Sequence, residues 1–244
     1  MDGGYTFDDL CGIVDILVSE NGCPWDRAQT HGSIRDDLIE ESYEAADAID
    51  KNDMPNLCEE LGDVLFDVLL HCKLAERDNS FTTADVTAGA GMKMVRRHPH
   101  IFAGVRADTP DQVIDNWDRI KKAEHGFTAG SQTLRAVAKA LPALSRAEKV
   151  QKRAEKASGE EFGLMRAVAA AGAELARLKE AAPAGKAPSG EDLSAVLGAL
   201  LFHTVAISRK LNINAEFALT NATETFINNF EDCEKGMKPA SDLF

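Results

Sequence analysis

Two short acidic clusters carry side chains that can do chemistry at close quarters. Glu40-Glu41-x-x-Glu44 lies in one segment and Glu59-Glu60-x-x-Asp63 in the next. On a helix, a three-residue separation puts two side chains on one face, about 5–6 Å apart at Cβ. Glu41 and Glu44 then point the same way, as do Glu60 and Asp63. Each pair borders apolar positions: Leu38 and Ala45 in one segment, Leu57, Leu61 and Val64 in the other. If those stripes pack antiparallel, the pairs converge, and four carboxylates in one place repel unless cations neutralise them. Hard oxygen donors of this kind suit Mg²⁺ or Mn²⁺. A solvated acidic face ordinarily has Lys or Arg four residues on. Here those positions hold Ala45, Ala48, Val64 and Asp67, which favours metal.

Phosphate groups need donors as well, and a basic set follows downstream. Lys93 and Arg97 are four residues apart with Arg96 beside them, and Lys121 and Lys122 come later. The formal charge of −13 excludes a sequence-independent nucleic-acid binder, which needs a basic surface. It permits a small phosphorylated substrate, provided cations sit between carboxylates and phosphates. No P-loop is present, and Gly89-x-Gly91 follows no strand, so it is not a dinucleotide fingerprint. The five cysteines show no CxxC pairing, so neither a disulfide framework nor a thiolate zinc site is expected. A reducing compartment fits that usage. The N-terminus lacks a basic n-region and an apolar h-region, and no stretch approaches 18 uninterrupted apolar residues. The expectation is a cytoplasmic protein with no membrane and no nucleic-acid partner.

The elements that must position these residues read as helices throughout. Aromatics make up 6% of the 244 residues, and Ala, Leu, Asp and Glu dominate. Leu10, Val14, Leu17 and Val18 predict a helix over 7–19, broken at Asn21-Gly22-Cys23-Pro24. A second helix is predicted from about His31 or Ser33 to Ile49. Asn52-Asp53-Met54-Pro55 is a turn. From Pro55 to Ala75, Leu57, Leu61, Val64, Leu65, Val68, Leu69 and Cys72 recur as on a buried helix face. Thr83 or Asp85 opens a helix through Arg97 that ends at His98-Pro99, and 111–124 forms another. Residues 125–133 read as a linker and 182–190 as a loop.

Taken together, the motifs resemble those of MazG proteins. Cys23-Pro24-Trp25-Asp26-Arg27-Ala28-Gln29-Thr30-His31 resembles that family's CPWDxxQTH signature, and the two acidic clusters match its EExxE…ExxD metal motif. Arg96-Arg97-His98-Pro99-His100-Ile101-Phe102 is similar to its RRHPHVF, and Trp117-x-x-Ile120-Lys121 to its WxxIK. The resemblance implies an all-α fold, a homodimer, and Mg²⁺-dependent cleavage of nucleoside triphosphates to monophosphate and pyrophosphate by a metal-activated water. It implies metal ligation by Glu41, Glu44, Glu60 and Asp63, with Glu40 in a supporting place or orienting the attacking water. Phosphate contacts fall to Lys93, Arg96, Arg97 and Lys121, and the nucleoside to Trp25 or Trp117. A non-catalytic nucleotide sensor with the same fold is the competing reading; release of pyrophosphate separates the two.

The second half departs from the pattern. Leu61–Phe66 (LGDVLF) recurs as Leu197–Phe202 (LGALLF), which predicts two related MazG-like helical bundles, 1–127 catalytic and 134–244 degenerate. Where the repeat would carry EExxE it offers Ala173-Glu174-x-x-Arg177, and where it would carry ExxD it has Val196-x-x-Ala199. Thr225, Asn228 and Asn229 replace the basic set. A role in folding, dimer contact or regulation is expected for this half, with His203 a core or interface residue.

Overall fold

The computed structural model describes residues 4–124, 126–181, 193–237 and 239, and every regular element among them is a helix. The chain divides into two compact units, Met1–Lys121 and Lys122–Phe244.

In the first unit, α1 (Phe7–Val18) is opened by a capping box in which Thr6 and Asp9 satisfy each other's backbone N–H groups. The chain then folds back over the end of α1. The Cys23 N–H donates to the Leu17 carbonyl and the Gly22 N–H to that of Ser19. A Cβ at Gly22 would lie 2.2 Å from the Ile16 oxygen, so only glycine fits this approach. A short α2 (Pro24–Ala28) follows, a helix the sequence reading passed over as part of a break. Next come α3 (Arg35–Asp50) and α4 (Met54–Arg77), an antiparallel hairpin. Its turn places Asn52 at φ 54°, a left-handed conformation asparagine tolerates well. Asp53 caps α4, with Pro55 in the first turn, where its missing N–H has no cost.

The core of this unit lies where α1 covers the second half of α4. Val14, Ile34, Leu69, Leu70 and Leu74 are almost fully buried there. Ala45 and Ala48 on α3 are buried as well, small side chains that let α3 and α4 approach closely. The apolar stripe of α4 is not buried along its whole length, contrary to the sequence reading. Leu69 and Cys72 are, but Leu61 is 55% exposed, Leu65 37% and Val68 37%. Ile39 and Tyr43 on α3 are exposed too. Periodicity reports a stripe that needs cover, and a single chain supplies that cover over the second half of α4.

Past α4 come α5 (Thr83–Arg97), α6 (Pro99–Phe102) and α7 (Pro110–Glu124). Thr82 and Asp85 form a capping box at the start of α5, and Glu76 of α4 accepts from the Thr83 N–H at 2.9 Å. The division between the units falls within α7.

The second unit contains α8 (Gly130–Arg135), α9 (Ala143–Ser158), α10 (Leu164–Ala181), α11 (Leu193–Lys210) and α12 (Ala215–Glu234). The stretch read as a linker therefore includes the start of a helix, α8, while His125 and the 182–190 loop lie outside the described residues. α10 and α11 pack as a hairpin through Ala167, Ala171 and Val196. By length and composition α11 could cross a membrane, with a mean hydropathy of 1.2. It is tied to α9 by polar contacts: Gln151 donates to the Phe202 carbonyl at 2.7 Å, and Arg209 and Lys210 both pair with Glu155. Burial would raise the Glu155 carboxyl, but hydrogen bonds from Lys210, Arg209 and the Phe162 N–H outweigh it and hold the pKa at about 2.

Candidate metal centre

The hairpin of α3 and α4 brings the acidic clusters together. Carboxylate oxygens of Glu41, Glu60 and Asp63 lie within 4.8 Å of one another. Glu41 is half-buried, Glu60 is 8% exposed, and Asp63 faces solvent. Burial raises the Glu41 carboxyl above its ordinary value, and Glu44, Asp63, Glu60 and Asp67 push it further by like charge. Burial likewise raises Glu60, followed by Glu44, Asp63 and Glu59, with a hydrogen bond from Asn56 working the other way. The charged groups that act most strongly on Glu41 are thus carboxylates. Oxygen donors at this spacing, with no positive charge among them, have the chemistry of a hard divalent-cation site.

A simple register underlies the convergence. Glu44 faces Glu60, Glu41 faces Asp63, and Asp37 faces Asp67. The residue numbers of each pair sum to about 104, twice that of Asn52, the left-handed residue at the centre of the turn. The turn therefore sets which carboxylates meet. Glu44 is exposed and belongs to this seam through its charge on Glu41 and Glu60. Glu40 is exposed and lies about 100° further round α3 than its neighbour Glu41. It lines a shallow surface with Asp36, Ile39, Tyr43, Glu44 and Asp47, outside the three-carboxylate cluster.

The basic and aromatic residues form a separate group on α5, α6 and α7. The Arg97 guanidinium sits 5.3 Å from the Trp117 ring centre, a cation–π distance. His98 meets the same ring edge-on at 5.1 Å. Trp117 is half-buried in this packing, whereas Trp25 is 59% exposed. Lys93 and Arg96 are exposed, and Lys121 is half-buried on the last turns of α7.

Several residues around the hairpin were given no role of their own by the sequence reading. Arg77, at the end of α4, donates at 3.1 Å to the carbonyls of both Arg27 and Gln29 and so pins the Cys23–His31 segment to the helix. Gln29 is buried, donates to the Trp25 carbonyl and accepts from Ser33. His31 stacks on His71 of α4, with their Nδ1 atoms 2.8 Å apart. Burial and the neighbouring His31 lower the His71 pKa, which favours the neutral form. Asp67 is 6% exposed, and its Oδ2 has no hydrogen-bond partner among the described residues. One signal for these residues was available: Asp67 and His71 continue the Glu60, Asp63 row at helical spacing.

In the second unit the corresponding positions are satisfied without a cation. Arg177 pairs with Glu174 at 2.6 Å, and Val196 is 2% exposed.

Among the described residues the chain is a set of helices with three carboxylates brought together between two antiparallel ones, a donor set that could hold a divalent cation. Residues 29–102 match the MazG nucleotide pyrophosphohydrolase domain, a span that includes the whole seam. The nucleoside triphosphate pyrophosphohydrolase/pyrophosphatase MazG of Thermotoga maritima is 37% identical over 234 residues, covering 96% of this chain and 88% of that protein. The nucleoside triphosphate pyrophosphohydrolase of Escherichia coli K12 is 36% identical over 229 residues, covering 93% and 87%. The uncharacterized protein YabN of Bacillus subtilis is 39% identical over 234 residues, but this chain spans 47% of its length. The chain belongs to the MazG nucleoside triphosphate pyrophosphohydrolase family.

Proposed function

We propose that this chain hydrolyses nucleoside triphosphates to nucleoside monophosphate and pyrophosphate at the α3–α4 seam of its first half, residues 1–127. The observation that carries the reading is the convergence of Glu41, Glu60 and Asp63 within 4.8 Å. The names of the Thermotoga and Escherichia relatives, each covered over most of its length, support it.

In this reading Glu41, Glu44, Glu60 and Asp63 hold Mg²⁺, or Mn²⁺ in its place. Such a cation, when bound, lowers the pKa of a coordinated water and neutralises charge on the leaving pyrophosphate. The chain's own residues do the rest. The seam carboxylates fix the cation's place between two helices tied by a short turn, so little reorganisation accompanies the reaction. Lys93, Arg96, Arg97 and Lys121 supply positive charge to the phosphates, and the packing of Arg97 on Trp117 limits the orientations of the guanidinium. Trp25, exposed within the pinned Cys23–His31 segment, offers a flat apolar face to a base. Glu40 lies outside the cluster, so the principal carboxylate of α3 is Glu41.

Two further parts of the reading rest on separate observations. Ile39, Tyr43, Leu61, Leu65 and Val68 leave an apolar face exposed on the same hairpin, a face a second copy of the chain would cover in a homodimer. The second half, 134–244, serves folding, dimer contact or regulation, because its seam carries Val196 and Ala199 in place of ligands. The cysteine usage supports a cytoplasmic setting.

The experiment is release of pyrophosphate from a panel of ribo- and deoxyribonucleoside triphosphates with Mg²⁺, using wild type and Glu41→Gln. Loss of turnover in the variant is the expected result. Turnover that survives the substitution would move the site elsewhere, and none in either protein would favour a nucleotide sensor.

A further inference from the structure

The segment that carries Trp25 is held to α4 by two ties of different chemistry. One is Arg77, which donates to the Arg27 and Gln29 carbonyls and keeps its charge at any ordinary pH. The other is the pair His31 and His71, whose Nδ1 atoms lie 2.8 Å apart, with the rings parallel to within 8°. At that distance one nitrogen carries the proton and the other accepts it. His31 lies in a turn where the Ser33 and Ile34 N–H groups donate to the Thr30 carbonyl, and Ile34 is 1% exposed in the core of the first unit. The Ser33 hydroxyl donates to the Gln29 side chain, which in turn donates to the Trp25 carbonyl. A chain of hydrogen bonds thus joins the histidine turn to the backbone of Trp25.

The state of this tie depends on how many protons the pair holds. With both rings neutral, one Nδ1–H donates to the other Nδ1. With one ring charged, the charged ring donates and the neutral ring accepts, so the contact persists. With both charged, two N–H groups face each other without an acceptor, and like charges repel. Burial, then the neighbouring His31, lower the His71 pKa from its ordinary 6.5. Other charges surround the pair. On α4, Asp67 lies one turn before His71 and interacts with Asp37 of α3 and with Asp63, while Lys73 pairs with Glu76 and with Asp15 of α1. At the start of α3, Arg35 pairs with Asp36, and the segment itself adds buried Asp26 and exposed Arg27. Among the described residues neither ring pairs with a carboxylate that would hold a second proton in place.

We propose that His31 and His71 form a pH-sensitive latch: it holds the Trp25 segment on α4 while no more than one ring is charged, and releases the turn at residues 30–34 when both are. Arg77 tethers the segment in the released state, so the opening is local. The latch is separate from the carboxylate seam, since His71 stands about 12 Å beyond Asp63 along α4. Its contribution is present above the ordinary histidine value of 6.5 and is lost as the pH falls through the lowered value of folded His71.

Amide hydrogen exchange of the full chain at pH 7 and pH 4.5, with each rate referred to its intrinsic value and to the amides of α1, tests this. Protection of the Ser33 and Ile34 amides in wild type is expected to fall about fivefold relative to α1, the worth of one lost hydrogen bond. His31→Gln and His71→Gln each leave one titratable ring, and protection of the turn should then be the same at both pH values. Nitrogen-15 spectra of the wild-type His31 and His71 rings give a readout that needs no variant: at pH 7 one Nδ1 should carry a proton and the other none. Two bare Nδ1 atoms at pH 7, protection in wild type that does not change with pH, or the same change in both variants would overturn the proposal.

Discussion

Replacing Glu41 by Gln should invert the order of two melting temperatures. The substitution removes one negative charge from a cluster whose ligand atoms lie within 4.8 Å of one another. At that spacing, each like-charged neighbour costs about 0.9 kcal/mol in a water-like dielectric and about 3.5 kcal/mol at an effective dielectric near 20. Glu41 is half-buried and the seam opens to solvent at Asp63, so the lower figure governs. Relief from two neighbours then comes to about 2 kcal/mol, which is several degrees in Tm for a domain of this size. Without cation, Glu41→Gln therefore melts above wild type. Saturating cation acts in the other direction: at a hundred times Kd it adds about 2.7 kcal/mol to any protein that binds it only when folded. Wild type gains that increment and the variant loses most of it, so with Mg²⁺ the wild type melts higher. Thermal melts by circular dichroism in EDTA and in excess Mg²⁺ measure both. A variant that melts below wild type in EDTA would refute the reasoning, because Glu41 would then be stabilised by something other than a cation. The same increment with Mg²⁺ in both proteins would refute it equally.

Other perturbations follow from the same geometry. Glu41 and Glu60 titrate above their ordinary value of 4.5 when folded, so the folded chain holds more protons than the unfolded one just above that pH. Their contribution to cation-free stability is fully present below about pH 4.5 and is lost as the pH rises through their raised folded values; melts across pH 4–8 should show the fall in EDTA and its reduction by Mg²⁺. Glu155 behaves oppositely: with a folded pKa of about 2 against an ordinary 4.5, its contribution is present above 4.5 and lost as the pH falls toward 2. Glu155→Gln leaves Arg209 and Lys210 without their shared partner and should lower stability by about 2–4 kcal/mol in a denaturant titration, with pyrophosphate release little changed at a temperature where the chain stays folded. Arg77→Ala removes two charge-assisted bonds to the Arg27 and Gln29 carbonyls. It should cost about 1–3 kcal/mol and raise amide hydrogen exchange in residues 24–33 ahead of the rest of the first unit. Gly22→Ala forces a Cβ to 2.2 Å from the Ile16 oxygen and should destabilise the first unit by about 2 kcal/mol or more, read as a lower unfolding midpoint.

How much of this was legible in the sequence depended on how far apart the interacting residues lie. The helix over 55–75 is observed as Met54–Arg77, and the one beginning at Thr83 as Thr83–Arg97. Both carry local signals: a proline in the first turn of α4, a Thr–Asp capping box on α5, and apolar residues at three- and four-residue steps. The acidic pairs were readable for the same reason, since a three-residue spacing fixes a shared face before any packing occurs. Arg77 gave no such signal. Its partners are backbone carbonyls about fifty residues away, and a carbonyl has no signature in sequence. Nor did the stacking of His31 on His71, which requires the loop to lie against α4.

The sequence by itself determined that the chain is helical, that the carboxylates of the first half come in same-face pairs, and that the repeat positions of the second half do not carry them. Those properties depend on spacing within one helix or on residue identity alone. Only the tertiary structure decided which carboxylates face one another, that the Asp67 Oδ2 is buried without a donor among the described residues, and that Leu61, Leu65 and Val68 remain exposed. Each of these follows from the register of α3 against α4 and from how far α1 reaches along α4. Register and reach are set by a turn and a packing contact that no single helical period encodes.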